Sequence, residues 1–292
     1  MNQSFNIRPE TRATTLHFLY RQLFVTPPPV SRCDADLDGK RAIVIGSNVG
    51  LGLETARQLL DLGAKVILAV RDKSKGLDAC KQLSGSQHLS DDSIEFVNRA
   101  RELPFLDIAI LNAGLYNVHE SFSSTGYEED IHINYLSNLL LTLLLLPVMK
   151  KSGSDSGRIV LVSSDQAAWA KFEERRSKPL LPTFKRKMKD WDMAERYGTS
   201  KFLGLLFVTE LARLSRLFGR RCSIGTRTIV HAATVLGEEA HGQYVEDAKV
   251  QPMPPIVYAP EDLQLAKLLY EETLSDMAFV GVRDSIERLQ SR

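Results

Sequence analysis

The sequence predicts an α/β fold, a doubly wound parallel sheet, on three observations. Short apolar runs rich in β-branched residues recur without polar alternation, as strands covered on both faces require. Helical stretches separate these runs, so that strand and helix alternate along the chain. A glycine-spaced turn, IGSNVGLG at 45 to 52, lies between the first strand and the helix after it.

Residues 1 to 38 read as an N-terminal appendage. Thr14 to Val25 suits an amphipathic helix that packs on the domain or touches a membrane, and Pro27, Pro28 and Pro29 then stiffen the chain and stop any helix. The domain runs over 39 to 292. Arg41 to Ile45 is the first strand, Leu51 to Leu62 a helix and Ala64 to Val70 the second strand, which completes a βαβ unit. Leu106 to Leu111 and Arg158 to Val162 repeat the buried-strand pattern, with Ile131 to Val148 helical between them and Tyr197 to Phe218 helical after them.

Composition excludes several classes. A chain of 292 residues with net charge +1 offers no strongly basic field for nucleic acid. Cys33, Cys80 and Cys222 are far apart and lack metal-ligand spacing, and the six histidines carry no metal pattern either, so no metal site is expected and the cytoplasm is the expected compartment. MNQSFNIRPE has no charged leader followed by an apolar run. The apolar stretch Leu139 to Met149 is interrupted by Thr142 and Pro147 and is shorter than the ~20 residues of a bilayer span, so no integral membrane span is expected.

The glycine motif carries the cofactor reading. Gly46 permits a tight turn, Gly50 lets the backbone approach a pyrophosphate, and Gly52 allows close helix packing, while the helix N-terminus attracts the anion. In a βαβ unit this makes Gly46, Ser47, Asn48, Val49, Gly50, Leu51 and Gly52 candidate contacts of a dinucleotide in a Rossmann fold. The second strand ends in Val70 and Arg71, where an NAD site would present an acid for the ribose 2′-hydroxyl. Arg71 favours a 2′-phosphate and hence NADP(H); Asp72 could instead serve the ribose or neutralise Arg71 in a surface pair.

Together with LNAG at 111 to 114, HIN at 132 to 134, VSS at 162 to 164 and YGTSK at 197 to 201, the glycine turn resembles the short-chain dehydrogenase/reductase family. LHFLYRQLFVTPPP and GLGLETARQLLDLGAKVILAVRD look most like its fungal branch related to retinol dehydrogenases and the WW-domain oxidoreductase. The resemblance implies Tyr197 as proton donor, Lys201 as the residue that lowers its pKa and binds the nicotinamide ribose, Ser164 as orienter of the substrate carbonyl, and Asn134 as holder of a relay water. It implies that Asn112, Ala113 and Gly114 lie along the cofactor, and that helices 131 to 148 and 197 to 218 pair in a homodimer.

The chemistry can be argued without the family. A free tyrosine titrates near 10, and a nearby ammonium would bring its phenol toward the working range. Tyr197 and Lys201 are one helical turn apart and project from one face toward the strand end at Ser163 and Ser164, whose hydroxyls can donate to a developing alkoxide. Residues 165 to 196 form a lid-like insertion, basic, with Trp169, Phe172, Phe184 and Trp191 expected to contact an apolar substrate, or equally to anchor the loop.

Two stretches are short for the family. Residues 72 to 105 number 34, where two helices, a strand and their loops need roughly 43. The expected loss is the third strand with the turn that contacts adenine, leaving SDDSIEFVNRARELP as a helix. After Phe218 no Pro-Gly follows, and GTRTIVHAA resembles a later helix of the family rather than a sixth strand; Thr226 to Val230 as a strand is the alternative. The expected function is an NADP(H)-dependent oxidoreductase interconverting an alcohol and a ketone or aldehyde on a lipophilic small molecule, a tailoring step of fungal secondary metabolism. The alternative is a cofactor-binding scaffold of the same family impaired in catalysis.

Overall fold

In the computed structural model the described residues are 5–84, 94–96, 105–150, 157–215, 226–258, 260–281, 283 and 286. The chain builds α1 (Pro9–Arg12), α2 (Thr15–Phe24), β1 (Arg41–Ile45), α3 (Gly50–Asp61), β2 (Lys65–Ala69), α4 (Lys73–Ser84), β3 (Ile94–Phe96) and β4 (Ile108–Leu111). A π-helical segment (Ile131–Ser137) leads into α5 (Asn138–Lys150), followed by β5 (Arg158–Leu161), α6 (Met193–Ser215), α7 (Thr226–Thr234), β6 (Tyr244–Glu246), β7 (Lys249–Gln251) and α8 (Pro260–Asp276).

The main sheet is parallel in the order β3-β2-β1-β4-β5. Chain direction reverses its march across the sheet between β1 and β4, the switch point where sheets of this kind bind ligands at their carboxyl ends. Strand alternation sorts the core into two layers. Ile43, Ile67, Ala109, Leu111, Ile159 and Leu161 face α5, α6 and α8, while Val44, Val66, Leu68, Ile110 and Val160 face α3 and α7. Both faces are covered, which is why the strands read as continuous apolar runs.

The expected absence of the third strand is corrected. Ile94–Phe96 pairs with Val66–Leu68 as β3, at the centre of the segment read as a helix. A three-residue edge strand offers too short a pattern to compete with the surrounding polar, helix-favouring residues. The flanking residues 85–93 and 97–104 lie outside the described ones. The other expectation holds: Thr226–Thr234 is helical, and among the described residues no further strand joins the main sheet outside β5, while β6 and β7 form a separate hairpin.

Ile131–Met149 is long and apolar enough to cross a membrane, yet here it is a core element, with Leu139, Leu143 and Leu145 buried. Leu203, Leu205, Leu206, Phe207 and Val208 of α6 are likewise buried within the chain. Much of the apolar surface those two helices could offer to a second copy is therefore used internally.

The appendage docks through charge. Arg12 donates through Nε to Glu246 at 2.9 Å and through Nη2 to Asp165 at 3.1 Å, while Arg21 donates through Nε to Asp247 at 2.6 Å and pairs through Nη1 with Glu246 at 2.8 Å. The acceptors Glu246 and Asp247 lie at the β6–β7 turn, where Asp247 takes a left-handed φ of 50° that this short polar residue tolerates. With its polar side turned inward, α2 leaves Leu16, Leu19, Tyr20, Leu23 and Phe24 exposed.

Candidate active site

The carboxyl ends of β1, β2, β4 and β5 collect the predicted residues. At the first, Gly46 takes a left-handed φ of 73°, and a Cβ there would come 3.0 Å from the Ala113 Cα. A Cβ on Gly52 would drive into the Gly46 carbonyl oxygen and come 2.6 Å from the Asn112 amide nitrogen. The glycines thus hold the β1 turn against the β4 turn, and Asn112 Nδ2 closes the contact by donating to the Gly46 carbonyl at 3.2 Å. Val49, Gly50 and Leu51 form the exposed start of α3, and Asn48 is half-buried behind them. The Ser47 hydroxyl is buried with no protein partner. An open helix N-terminus beside an unpartnered hydroxyl and a side-chain-free turn fits a dinucleotide pyrophosphate.

At the end of β2, Arg71 is exposed. Asp72 has other work: its Oδ1 accepts from the Ser74 amide at 2.8 Å, the Ser74 hydroxyl at 2.7 Å and the Lys75 amide at 3.2 Å, which caps α4. Those bonds hold the Asp72 carboxyl below the usual range. Among the described residues, Arg71 has no ion-pair partner.

Asn134 sits in the π-helical segment, a geometry that sequence periodicity cannot reveal and that is frequent at functional sites. Its Oδ1 accepts from the Leu115 amide at 2.8 Å, and its Nδ2 donates to the Leu115 carbonyl and to Ser200 Oγ, each at 2.9 Å. Ala113 is held in turn through its carbonyl, which accepts from Asn138 Nδ2 at 2.9 Å. A Cβ on Gly114 would lie 3.1 Å from Asn134 Oδ1 and 3.2 Å from Lys201 Nζ, so these atoms look onto one space that glycine leaves open.

Lys201 is buried, and its Nζ donates to the Val162 carbonyl at 3.0 Å and lies 5.7 Å from the Tyr197 ring centre. Burial pulls its ammonium down to about 8, with the charge of Asp130 acting against the shift. Tyr197 departs from expectation. Burial pushes its phenol above the ordinary range, a hydrogen bond with Ser164 opposes this, and the charges of Asp130 and Tyr116 reinforce it. In this arrangement desolvation outweighs any help from the lysine, so the tyrosine is held as a neutral phenol.

Ser164 closes the group at the end of β5, its Oγ also accepting from the Gln166 amide at 3.3 Å. Gly198 brings α6 close to this turn, since a Cβ there would come 2.7 Å from the Gln166 carbonyl oxygen. Ser163 turns away, donating to the Lys201 carbonyl at 3.5 Å.

The insertion aromatics divide. Phe172 and Phe184 are fully buried and stack at 6.4 Å, so they anchor the loop. Trp169 packs edge-on against Phe18 at 5.2 Å and donates to the Ala13 carbonyl at 2.8 Å, joining the insertion to the appendage. Trp191 donates to the Val118 carbonyl at 2.9 Å, beside the exposed Val118 and Tyr116. Sequence reasoning missed Tyr116, Glu128, Asp130 and Arg196. Their polar sequence neighbourhoods, as in GYEEDIH and DMAERYG, gave no signal that three of them would be buried.

Comparison with known proteins agrees with the geometry. A family model described as short chain dehydrogenase matches residues 40–173. The chain is 50% identical to the short-chain dehydrogenase fogG of Aspergillus ruber, covering 99% of both chains, and 35% identical to the short chain dehydrogenase/reductase mfmJ of Annulohypoxylon moriforme, again covering 99% of each. The fogG alignment spans 346 positions, 54 more than the 292 residues here, so part of it has no counterpart in this chain. Among solved structures, a protein of Mycobacterium paratuberculosis matches with TM-score 0.64 at 22% identity, covering 85% of this chain and 97% of that one. Salutaridine reductase from Papaver somniferum matches with TM-score 0.54 at 20% identity, covering 70% and 99%.

Proposed function

The chain belongs to the short-chain dehydrogenase family, and from that premise we propose that it is an NADPH-dependent reductase of a ketone or aldehyde on a lipophilic small molecule. The observation that carries this reading is the convergence of the Tyr197 phenol, the Ser164 hydroxyl and the buried Lys201 ammonium at the carboxyl end of the sheet. When bound, the reduced nicotinamide supplies the hydride. Ser164 donates a hydrogen bond to the carbonyl oxygen of the substrate and so stabilises the negative charge that develops there. Tyr197, held neutral by burial, gives its proton to that oxygen. Lys201 then faces a phenolate, whose charge its ammonium stabilises. Asn134 fixes the 113–115 turn beside Lys201.

The cofactor choice rests on Arg71, exposed where a 2′-phosphate would lie, with Asp72 committed to capping α4. Arg71→Ala is expected to weaken NADPH binding by roughly tenfold or more and to leave NADH binding unchanged. The exposed Tyr116 against Tyr197, with Val118 exposed two residues on, supports an apolar substrate, and a tailoring role in fungal secondary metabolism completes the proposal. Cys33 and Cys80 are free thiols, which supports a cytoplasmic setting. Loss of NADPH absorbance with a panel of ketones and aldehydes tests the reading. Turnover with none of them would overturn it.

A second reading has its own observation. The segment that lacks the family's Pro-Gly turn forms helix α7 rather than a strand, and the fogG alignment is longer than this chain. A protein that binds NADPH tightly without turnover would fit it.

A further inference from the structure

The N-terminal appendage reaches the candidate active site through one short element. Asp165–Ala168 is a single turn of 3-10 helix whose N-cap is Ser164, and the Ser164 Oγ accepts from the Gln166 amide at 3.3 Å. Trp169 closes the turn, its amide donating to the Gln166 carbonyl at 3.0 Å. The appendage holds this turn at both ends.

At the first end, Asp165 receives two arginines. Arg12 Nη2 donates to its Oδ1 at 3.1 Å, and Arg21 Nη1 donates to Oδ1 at 3.3 Å and to Oδ2 at 3.4 Å. Neither guanidinium is free to swing away, because Arg12 Nε is bonded to Glu246 at 2.9 Å and Arg21 Nε to Asp247 at 2.6 Å. Both arginines are buried, so salt screens these pairs little. At the other end the Trp169 indole donates to the Ala13 carbonyl at 2.8 Å, and its ring packs edge-on against Phe18. Ala13 ends α1 and Phe18 lies in α2, so both appendage helices take part.

Another side of the turn meets α6. A Cβ on Gly198 would come 2.7 Å from the Gln166 carbonyl oxygen and 3.5 Å from Ala170 Cβ, so the contact admits no side chain. Gly198 directly follows Tyr197, and the turn that begins at Ser164 thus touches both the appendage and the helix that carries the phenol. We propose that the appendage braces the active site, with Arg12 and Arg21 as positioning residues that act through Asp165 to fix the Ser164 hydroxyl relative to Tyr197.

The physical reason is that one turn of 3-10 helix has few hydrogen bonds of its own and opens readily when nothing outside holds it. A hydroxyl that must meet a carbonyl oxygen at hydrogen-bond distance needs its backbone fixed, since small displacements at a reacting centre cost rate steeply. Ion pairs from residues more than 140 positions upstream supply that support.

For its catalytic consequence this inference rests on the reading of Ser164 and Tyr197 as reacting groups, while the brace itself is a property of the cofactor-free protein. Asp165→Asn weakens the hold on the turn and leaves Arg12 on Glu246 and Arg21 on Asp247, so the appendage stays docked. Arg12→Ala weakens the same hold from the appendage side. Amide hydrogen exchange of the full chain, read by mass spectrometry, follows residues 163–170 directly, with residues 46–52 as the reference for general loss of stability. Both variants are expected to speed exchange in 163–170 by about tenfold or more relative to that reference. Their kcat is expected to fall about tenfold with NADPH affinity held within a few fold, a split that general destabilisation would not give. Thermal unfolding identifies the folded variants, and Trp169→Phe, which removes the bond to Ala13 and keeps an aromatic ring, serves in place of any that is not. Unchanged exchange in 163–170 of the folded variants, or faster exchange with kcat unchanged, would overturn the proposal. If wild type reduces no substrate the functional reading fails, and the exchange alone decides the brace.

Discussion

The ring of Tyr116 lies against that of Tyr197, with centroids 4.6 Å apart and planes tilted by 36°. Tyr116 is itself 41% exposed, so it shields one side of the Tyr197 phenol from water while presenting its other side to whatever enters the site. Because burial is the chief cause that raises the Tyr197 phenol, Tyr116→Ala should hydrate it and lower it toward the ordinary tyrosine range. Carbonyl reduction needs the protonated phenol, so the alkaline fall in kcat/KM is expected to begin about half a unit or more lower in the variant. A pH profile of wild type against Tyr116→Ala checks this.

A second prediction concerns the glycine turn. Gly52→Ala places a methyl group against the Gly46 carbonyl and the Asn112 amide, backbone and a pinned side chain that cannot yield cheaply. Overpacking of this kind costs about 1–3 kcal/mol. A lower unfolding temperature should accompany weaker NADPH binding, read by fluorescence titration. Gly126→Ala is the control for a left-handed glycine away from the site, with open space around its Cβ, and should destabilise without touching the binding constant.

A third prediction concerns the appendage. Arg12→Ala leaves Glu246 and Asp165 without a main partner in a buried cluster, and removing one side of such a pair costs about 3–5 kcal/mol. The loss has a pH sign. Burial, with Asp165 beside it, raises Glu246 to about 7, so the stability linked to its protonated form is present below the ordinary glutamate value and lost as pH rises through about 7. Urea unfolding should find Arg12→Ala closest to wild type near pH 5 and furthest from it near pH 8.

The parts of the fold carried by long apolar patterns were legible in the sequence. Arg41–Ile45 matches its strand end to end, and the α3, β2, β4 and β5 boundaries fall within two residues of those expected, because burial on both faces leaves a strong local signature. The glycine turn and the Tyr197, Lys201 and Ser164 set stood out in the sequence for another reason: the chemistry proposed for them needs fixed residue types at fixed spacing. What escaped depends on tertiary partners. Ile94–Phe96 is a strand only because β2 offers it an edge. The docking of Arg12 and Arg21 onto a hairpin more than 220 residues away leaves no local trace, and an exposed apolar face on α2 inverts the ordinary rule for a packed helix. Phe172 and Phe184 read equally as substrate contacts or as loop anchors in the sequence, because composition cannot distinguish an aromatic that anchors a loop from one that lines it.

The central claim is that the Tyr197 phenol delivers the proton in carbonyl reduction. Tyr197→Phe keeps the ring, its packing on Tyr116 and the Lys201 bond to Val162, and removes only the hydroxyl. Turnover with the best substrate of the panel and NADPH affinity, measured together in wild type and variant, test it most directly. The account predicts a fall in kcat of about a hundredfold or more, with NADPH affinity unchanged within a few fold. Equal kcat in the two proteins would contradict it.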